Sequence, residues 1–277
     1  MADVVSTPGL AAELISAKVQ RELAFASKLR NYITDVSSFA EKGKDTISFP
    51  KLSSFTVVDR AVGVAGDATA LTDTKDSLLL DKNAYVAWII DSMSSVQTSI
   101  NAQLENAGRA SAAQGRYVDT QIIAQAETDG EAITTVSPLV TRDVILEMQE
   151  DLLLRDANLD NVSFWINPTQ RTALLKIAEF TRADAYGSSN IPGGVVGSVF
   201  GVPVIMHNGL GAAQYFMVEK EGMAIGFQKG LAMDEQGANE FGVGAKRAAM
   251  DQLFGLKGLQ IGQSGATASA LIAKDNN

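Results

Sequence analysis

The sequence predicts an α+β subunit made of an N-terminal helical arm, an extended hairpin loop, one long spine helix and a compact α/β unit. Three observations carry this. Val96, Ile100, Leu104, Ala107, Ser111, Val118 and Ile122 recur at helical spacings through residues 94–127. A long weakly hydrophobic stretch, residues 60–76, separates two regions of strand character ahead of that helix. Beyond residue 137, short strands alternate with short helices around apolar runs.

The arm occupies residues 1–45. Thr7 offers a capping hydroxyl and Pro8 a first helical residue. Leu10, Leu14, Val19, Leu23 and Phe25 follow in an imperfect stripe, so the arm packs on something else. Gly43 ends its local order. Residues 46–92 hold the hairpin. Ile47 and Phe49 alternate with polar neighbours over 46–50, and residues 54–58 form a second short strand. The stretch RAVGVAGDATALTDTKD at 60–76 has no core-forming stripe. A loop of that length is unusual in a compact domain and is normally kept for use. Strand character returns at 77–80 and 84–90, with Tyr85, Trp88, Ile89 and Ile90.

Residues 93–136 carry the spine helix. Alanine is frequent and proline absent, while Gly108 and Gly115 each weaken it by about 1 kcal/mol. Residues 137–240 form the α/β unit: a helix at 142–155, a buried strand at 162–166, an Asn167-Pro168 turn into a helix at 169–180, and a Gly/Ser/Pro loop at 183–198. A strand at 202–206 follows, placed at an edge by Pro203. Strands at 214–218 and 223–227 complete the unit. Residues 241–277 return to the part built by 46–136; 229–258 is mixed, and 260–277 is small, polar and expected to fray.

Composition narrows the chemistry. The chain has no cysteine, which removes thiol nucleophiles, disulfides and Cys-based metal sites. It has one histidine, His207, at a strand end with no acid or serine marked as its partner; its default role is structural. The run Gly193-Gly194-Val195-Val196-Gly197 lacks the strand before and helix after that a dinucleotide loop needs. Glu147, Glu150 and Asp151 share a helix with Arg142 and Arg155, and the Asp151–Arg155 spacing suits a solvated ion-paired face better than a metal site. No catalytic, cofactor-binding or metal-binding residue is assigned, and no cofactor is expected. No signal peptide and no membrane-spanning run is expected. The net charge of −9 lacks the basic excess of a nucleic-acid binder.

The order of elements resembles the HK97-like fold of tailed-phage major capsid proteins. Asp45-Thr46-Ile47-Ser48-Phe49-Pro50 is similar to the first strand of that family's extended loop. Tyr117-Val118-Asp119-Thr120-Gln121-Ile122-Ile123 resembles the end of its spine helix, where an acid precedes apolar residues. Trp165-Ile166-Asn167-Pro168 resembles its axial-domain turn. Gly197 with Gly201-Val202-Pro203-Val204-Ile205, then Asn208-Gly209-Leu210, resembles its Gly-x-Pro-Val strand. Gln214-Tyr215-Phe216 and Ala224-Ile225-Gly226-Phe227 match its paired strands. The conjunction, in order over residues 8–260, carries the resemblance.

The resemblance implies a structural subunit, not an enzyme, that assembles as hexamers and pentamers into an icosahedral head around double-stranded DNA. It implies assembly in the host cytoplasm, a separate scaffolding protein, since only about 45 residues precede the first hairpin strand, a portal protein and a decoration or cement protein. An acidic wall suits a container that does not grip its polyanionic contents. Gly63, Gly66 and the 183–198 loop are the expected joints between pentamer and hexamer forms. Lys51 and Lys75 flank the extended loop; some relatives link a loop lysine to a neighbour's asparagine, and ordinary ion pairing is the default here. The alternatives are an encapsulin-like cage of the same fold and a tail or other virion protein.

Overall fold

The structure is a computed structural model that describes residues 27–51, 74–90, 100–177, 195–238, 240, 245–259 and 271–275. A short strand β1 (Thr34–Asp35) opens it, followed by β2 (Thr46–Lys51), β3 (Thr74–Leu79) and β4 (Lys82–Ile90). The spine helix α1 (Ile100–Asp129) leads through β5 (Glu131–Ala132) to α2 (Arg142–Leu154). Then come β6 (Val162–Ile166), the short helix α3 (Arg171–Leu174), β7 (Val195–Val199), β8 (Val202–Met206) and β9 (Tyr215–Glu219). Two long strands, β10 (Met223–Gly237) and β11 (Lys246–Gly258), precede the last, β12 (Ile272–Lys274).

These strands make three sheets. One has the order β1-β10-β11-β4, a second the order β5-β12-β9-β6-β8-β7, and β2 pairs with β3 alone. The spine helix joins the first two. It runs 30 residues, about 45 Å at 1.5 Å per residue. Ala107 and Ala110 pack on Leu231 and Met250 of the four-stranded sheet. Further along, Val118, Ile122, Ile123 and Ala126 pack with Trp165, Ile205, Phe216 and Ile272 of the six-stranded sheet. The other face of that sheet is covered by α2, whose Val144, Ile145, Met148 and Leu152 meet Phe164, Ile166, Val204 and Tyr215. Every residue of β6 is therefore buried, as a strand sandwiched between helices must be.

Local chemistry sets the ends of these elements. Thr141 caps α2 by accepting from the Val144 N–H, with Asp143 in the first turn. Asn167 accepts from the Thr169 N–H ahead of Pro168, which breaks β6 into the turn before α3. A two-residue turn, Phe200–Gly201, joins β7 to β8 with both φ values positive, at 48° and 87°. Glycine adopts this freely; for phenylalanine it costs about 1–2 kcal/mol.

The β2–β3 hairpin sits on the four-stranded sheet through two glycines that oppose one another, Gly226 on β10 and Gly255 on β11. A Cβ at Gly226 would meet Ile47 Cδ1 at 2.7 Å, and one at Gly255 would overlap the Leu79 carbonyl oxygen. The bare backbone lets Ile47, Leu78 and Leu80 close over Val36 and Ala224.

Several elements differ from the sequence expectation. Pro203 lies in an interior strand, not at an edge, because the β6 register begins at Val204 and Pro203 itself faces only Ser198. The loop expected at 183–198 ends earlier, since Val195–Val199 is a strand. The strand expected at 223–227 continues to Gly237, and the mixed segment beyond it holds β11; bulges between Phe227 and Ala232 let the ladder run past Gly230. The terminal segment expected to fray supplies β12, with Leu271, Ile272 and Ala273 buried. The helix after Asn167-Pro168 is described as a 3-10 turn followed by Arg171–Leu174, with turns through Ile177. The expected arm helix to residue 26, the strand at 54–58, the rest of the extended loop, and Gly193 and Gly194 lie outside the described residues.

Gly255→Ala tests the hairpin seat. The added methyl has backbone on one side, so the subunit should lose about 3 kcal/mol in urea denaturation, the upper end of typical overpacking costs. Gly230→Ala, whose Cβ meets open space, is the control and should change little.

Candidate functional site

The most concentrated polar chemistry surrounds Asp119, which projects from α1 and is fully buried. Its Oδ1 accepts from the Ser27 hydroxyl at 2.6 Å and the Leu29 N–H at 3.3 Å. Its Oδ2 accepts from the Lys28 N–H at 2.9 Å and lies 3.0 Å from His207 Nε2. The Gly209 N–H donates to His207 Nδ1 at 3.0 Å, so that nitrogen carries no proton and Nε2–H is the donor to Asp119. Gly209 is required here, because a Cβ would lie 2.9 Å from the imidazole ring.

The arrangement is not a nucleophilic relay. Ser27 donates to the acid, not to the histidine, and the imidazole is filled on both nitrogens. What it does is mechanical. One carboxylate ties the base of the N-terminal arm, the spine helix and the end of β8 together. Four donors satisfy it, which is what a buried carboxylate needs.

The remaining candidates separate. Gly197 lies in β7 and leads to a strand, not to the N-terminus of a helix. Glu147 turns back from α2 to accept from the Thr134 N–H at 2.7 Å and the Thr135 N–H at 3.2 Å. Hydrogen bonding from Thr135, with Thr134, holds its carboxyl below the ordinary glutamate range. Asp151 pairs with Arg155 as the spacing suggested, but the pair is not a solvated face: the Arg155 side chain is only 10% exposed and lies 3.8 Å from Glu131. Glu150 and Arg142 remain exposed. Lys75 faces Pro50, and Lys51 faces Thr74, across the base of the hairpin. Tyr215 donates to the Ser137 carbonyl at 2.9 Å; burial, then the charges of Asp275 and Glu147, push its hydroxyl up to about 12.

The sequence marked Asp119 only as the acid at the end of the spine helix. Its partners were not legible, since Ser27 is 92 positions away and His207 is 88.

The architecture that carries this site is shared with solved structures. No family model matches the chain and no curated protein matches it. A structure from Mycobacterium phage Che8 aligns with TM-score 0.66 and 19% identity, over 92% of this chain and 90% of that one. The asymmetric unit of the bacteriophage PhiM1 mature capsid aligns with TM-score 0.64 and 16% identity, over 91% and 87%. The capsid structure of cyanophage P-SCSP1u aligns with TM-score 0.66 and 10% identity, over 90% and 87%. The chain thus has the fold of phage capsid subunits. It is the HK97-like form, with the β2–β3 hairpin, the spine helix and the α/β unit in that order among the described residues.

Removing the Asp119 carboxylate should loosen the arm. Asp119→Ala leaves buried donors unpaired and should cost about 3 kcal/mol. Limited proteolysis should then cut near residues 27–33 before the sheets unfold. Ser27→Ala removes one of four donors and should cost about 1 kcal/mol.

Proposed function

We propose that this chain is the major capsid protein of a tailed bacteriophage, a structural subunit without catalytic activity. Hexamers and pentamers of it close into an icosahedral head around double-stranded DNA, which it holds without sequence-specific contacts. The observation that carries this reading is the alignment over about nine-tenths of both chains with capsid structures. The seating of the hairpin supports it. The β2–β3 base is fixed to the subunit by Gly226 and Gly255, while residues 60–75 offer no core-forming stripe of their own.

Under this reading residues 1–45 are an arm and 46–92 the hairpin with its extended loop. Residues 93–136 are the spine, 137–240 the axial unit, and 241–277 return to the peripheral part and end in a tail. Interfaces of the usual size, about 1,600 Å² in total each, sum to a stable shell when every subunit makes several. A fold with bendable joints contains no ruler for shell size, so a separate scaffolding protein directs closure. A portal protein occupies one vertex, and a decoration or cement protein binds the outside. The chain assembles in the host cytoplasm and resides in the virion.

Electron microscopy of the purified chain tests this. Expressed alone, it should give capsomers or heterogeneous shells, not only a 29.3 kDa monomer. Replacing residues 60–75 with a short Gly-Ser turn should leave circular dichroism and melting of the subunit intact while shells fail or become fragile. A stable monomer under all salt conditions contradicts the reading, and so do shells from the shortened chain that are as robust as wild type.

A further inference from the structure

The six-stranded sheet has two unlike ends. At the end where β6 begins, the Phe200–Gly201 turn projects. Phe200 is 38% exposed and sits at φ 48°, a left-handed conformation that asparagine or glycine would take more easily. The turn is held from behind, since Gln149 Nε2 lies 3.4 Å from the Phe200 carbonyl oxygen. An aromatic ring kept on a strained, anchored tip and turned partly to solvent is not there for the subunit's own core. Exposed Leu146 and Leu153 of α2 lie on either side of Gln149 along the helix, one turn away.

At the other end, where β6 finishes, a cavity of about 480 Å³ opens between the start of α2 and the turn into α3. Leu139, Val140, Ala173 and Ile177 give it apolar walls, and Thr172 and Lys176 are among its polar lining. The parallel register of β6 with β8 fixes the separation: the β7–β8 turn precedes β8, and the cavity follows β6. One copy therefore cannot fill its own cavity with its own tip.

The charges are complementary as well. At the same end of the sheet as the tip, the exposed carboxylates Glu150, Asp156, Asp160 and Glu221 outnumber the exposed Lys220. Around the cavity, exposed Arg142, Arg171 and Lys176 outnumber Asp143. The dipole of α2 adds to both, positive at the cavity and negative toward the tip.

We propose that the Phe200 tip of one copy seats in the Leu139–Ala173–Ile177 cavity of the next, making a head-to-tail contact between subunits. Two different patches on one chain form a heterologous interface, which closes into a ring when the rotation permits. The inference rests on the capsid reading for its setting and names the surfaces by which copies adjoin in a capsomer.

The absence of cysteine gives a clean background for the test. Phe200→Cys and Ala173→Cys chains, mixed and mildly oxidised, should give a disulfide-linked dimer. The double variant should give a ladder of linked multimers. Phe200→Asn relaxes the turn, so subunit melting should hold or rise while assembled material falls at least tenfold. Phe200→Cys linking to itself as well as to Ala173→Cys would mean a tip-to-tip contact and overturn the proposal. Absence of linking in concentrated or assembled protein, or normal assembly by Phe200→Asn, would overturn it too. A ladder without shells from the wild-type chain would keep this contact and remove the capsid reading; shells without linking would do the reverse.

Discussion

A carboxylate with no solvent exposure is an expensive object, and the described structure is organised around satisfying one. Asp119 sits where the spine helix passes from one sheet to the other, and its four donors come from two distant parts of the chain, residues 27–29 and His207. The arm base reaches it through two main-chain N–H groups and one hydroxyl, so its conformation is fixed as well as its position. Leu29 and Ile33 are then carried into the same apolar cluster as Val118, Ile122 and Phe254. The segment from Ser27 to Asp35 continues from this node to pair β1 with β10. Loss of the carboxylate therefore unties an arm, a helix and a strand end together.

Around that node the molecule divides mechanical work. The spine helix supplies length and rigidity, with alanines on the four-stranded sheet and larger side chains on the six-stranded one. The glycine pair at 226 and 255 supplies close approach for the hairpin. The α/β unit buries its central strand from both faces, yet keeps an aromatic tip and an apolar cavity at opposite ends. Rigid connections inside the subunit, with an exposed aromatic tip and an apolar cavity at opposite ends, are the features on which the proposed lattice role rests.

Much of this was legible in the sequence, for identifiable reasons. Ala107, Ser111, Val118 and Ile122 kept the helical spacing that marked the spine, and all are buried. The apolar run 162–166 and the Asn167-Pro168 turn marked β6 and its end. The long strands β10 and β11 were hidden because bulges and Gly230 interrupt the alternation that signals a strand. Strand β12 was hidden because three residues carry no period at all; only its pairing with β9 and β5 defines it. Pro203 misled because the rule that places proline at edges concerns the missing rung, and here no rung to β6 was due at that residue. The Asp119 node was silent because its partners meet only after folding.

Native-state hydrogen exchange of the Lys28 and Leu29 amides bears most directly on the role of the node. If the carboxylate fixes the arm base to the body, both amides should exchange only with global opening, as slowly as those of β6, and both should become fast in Asp119→Ala. Exchange of the two wild-type amides at the rate of an unprotected chain would mean that the arm base is not held by Asp119.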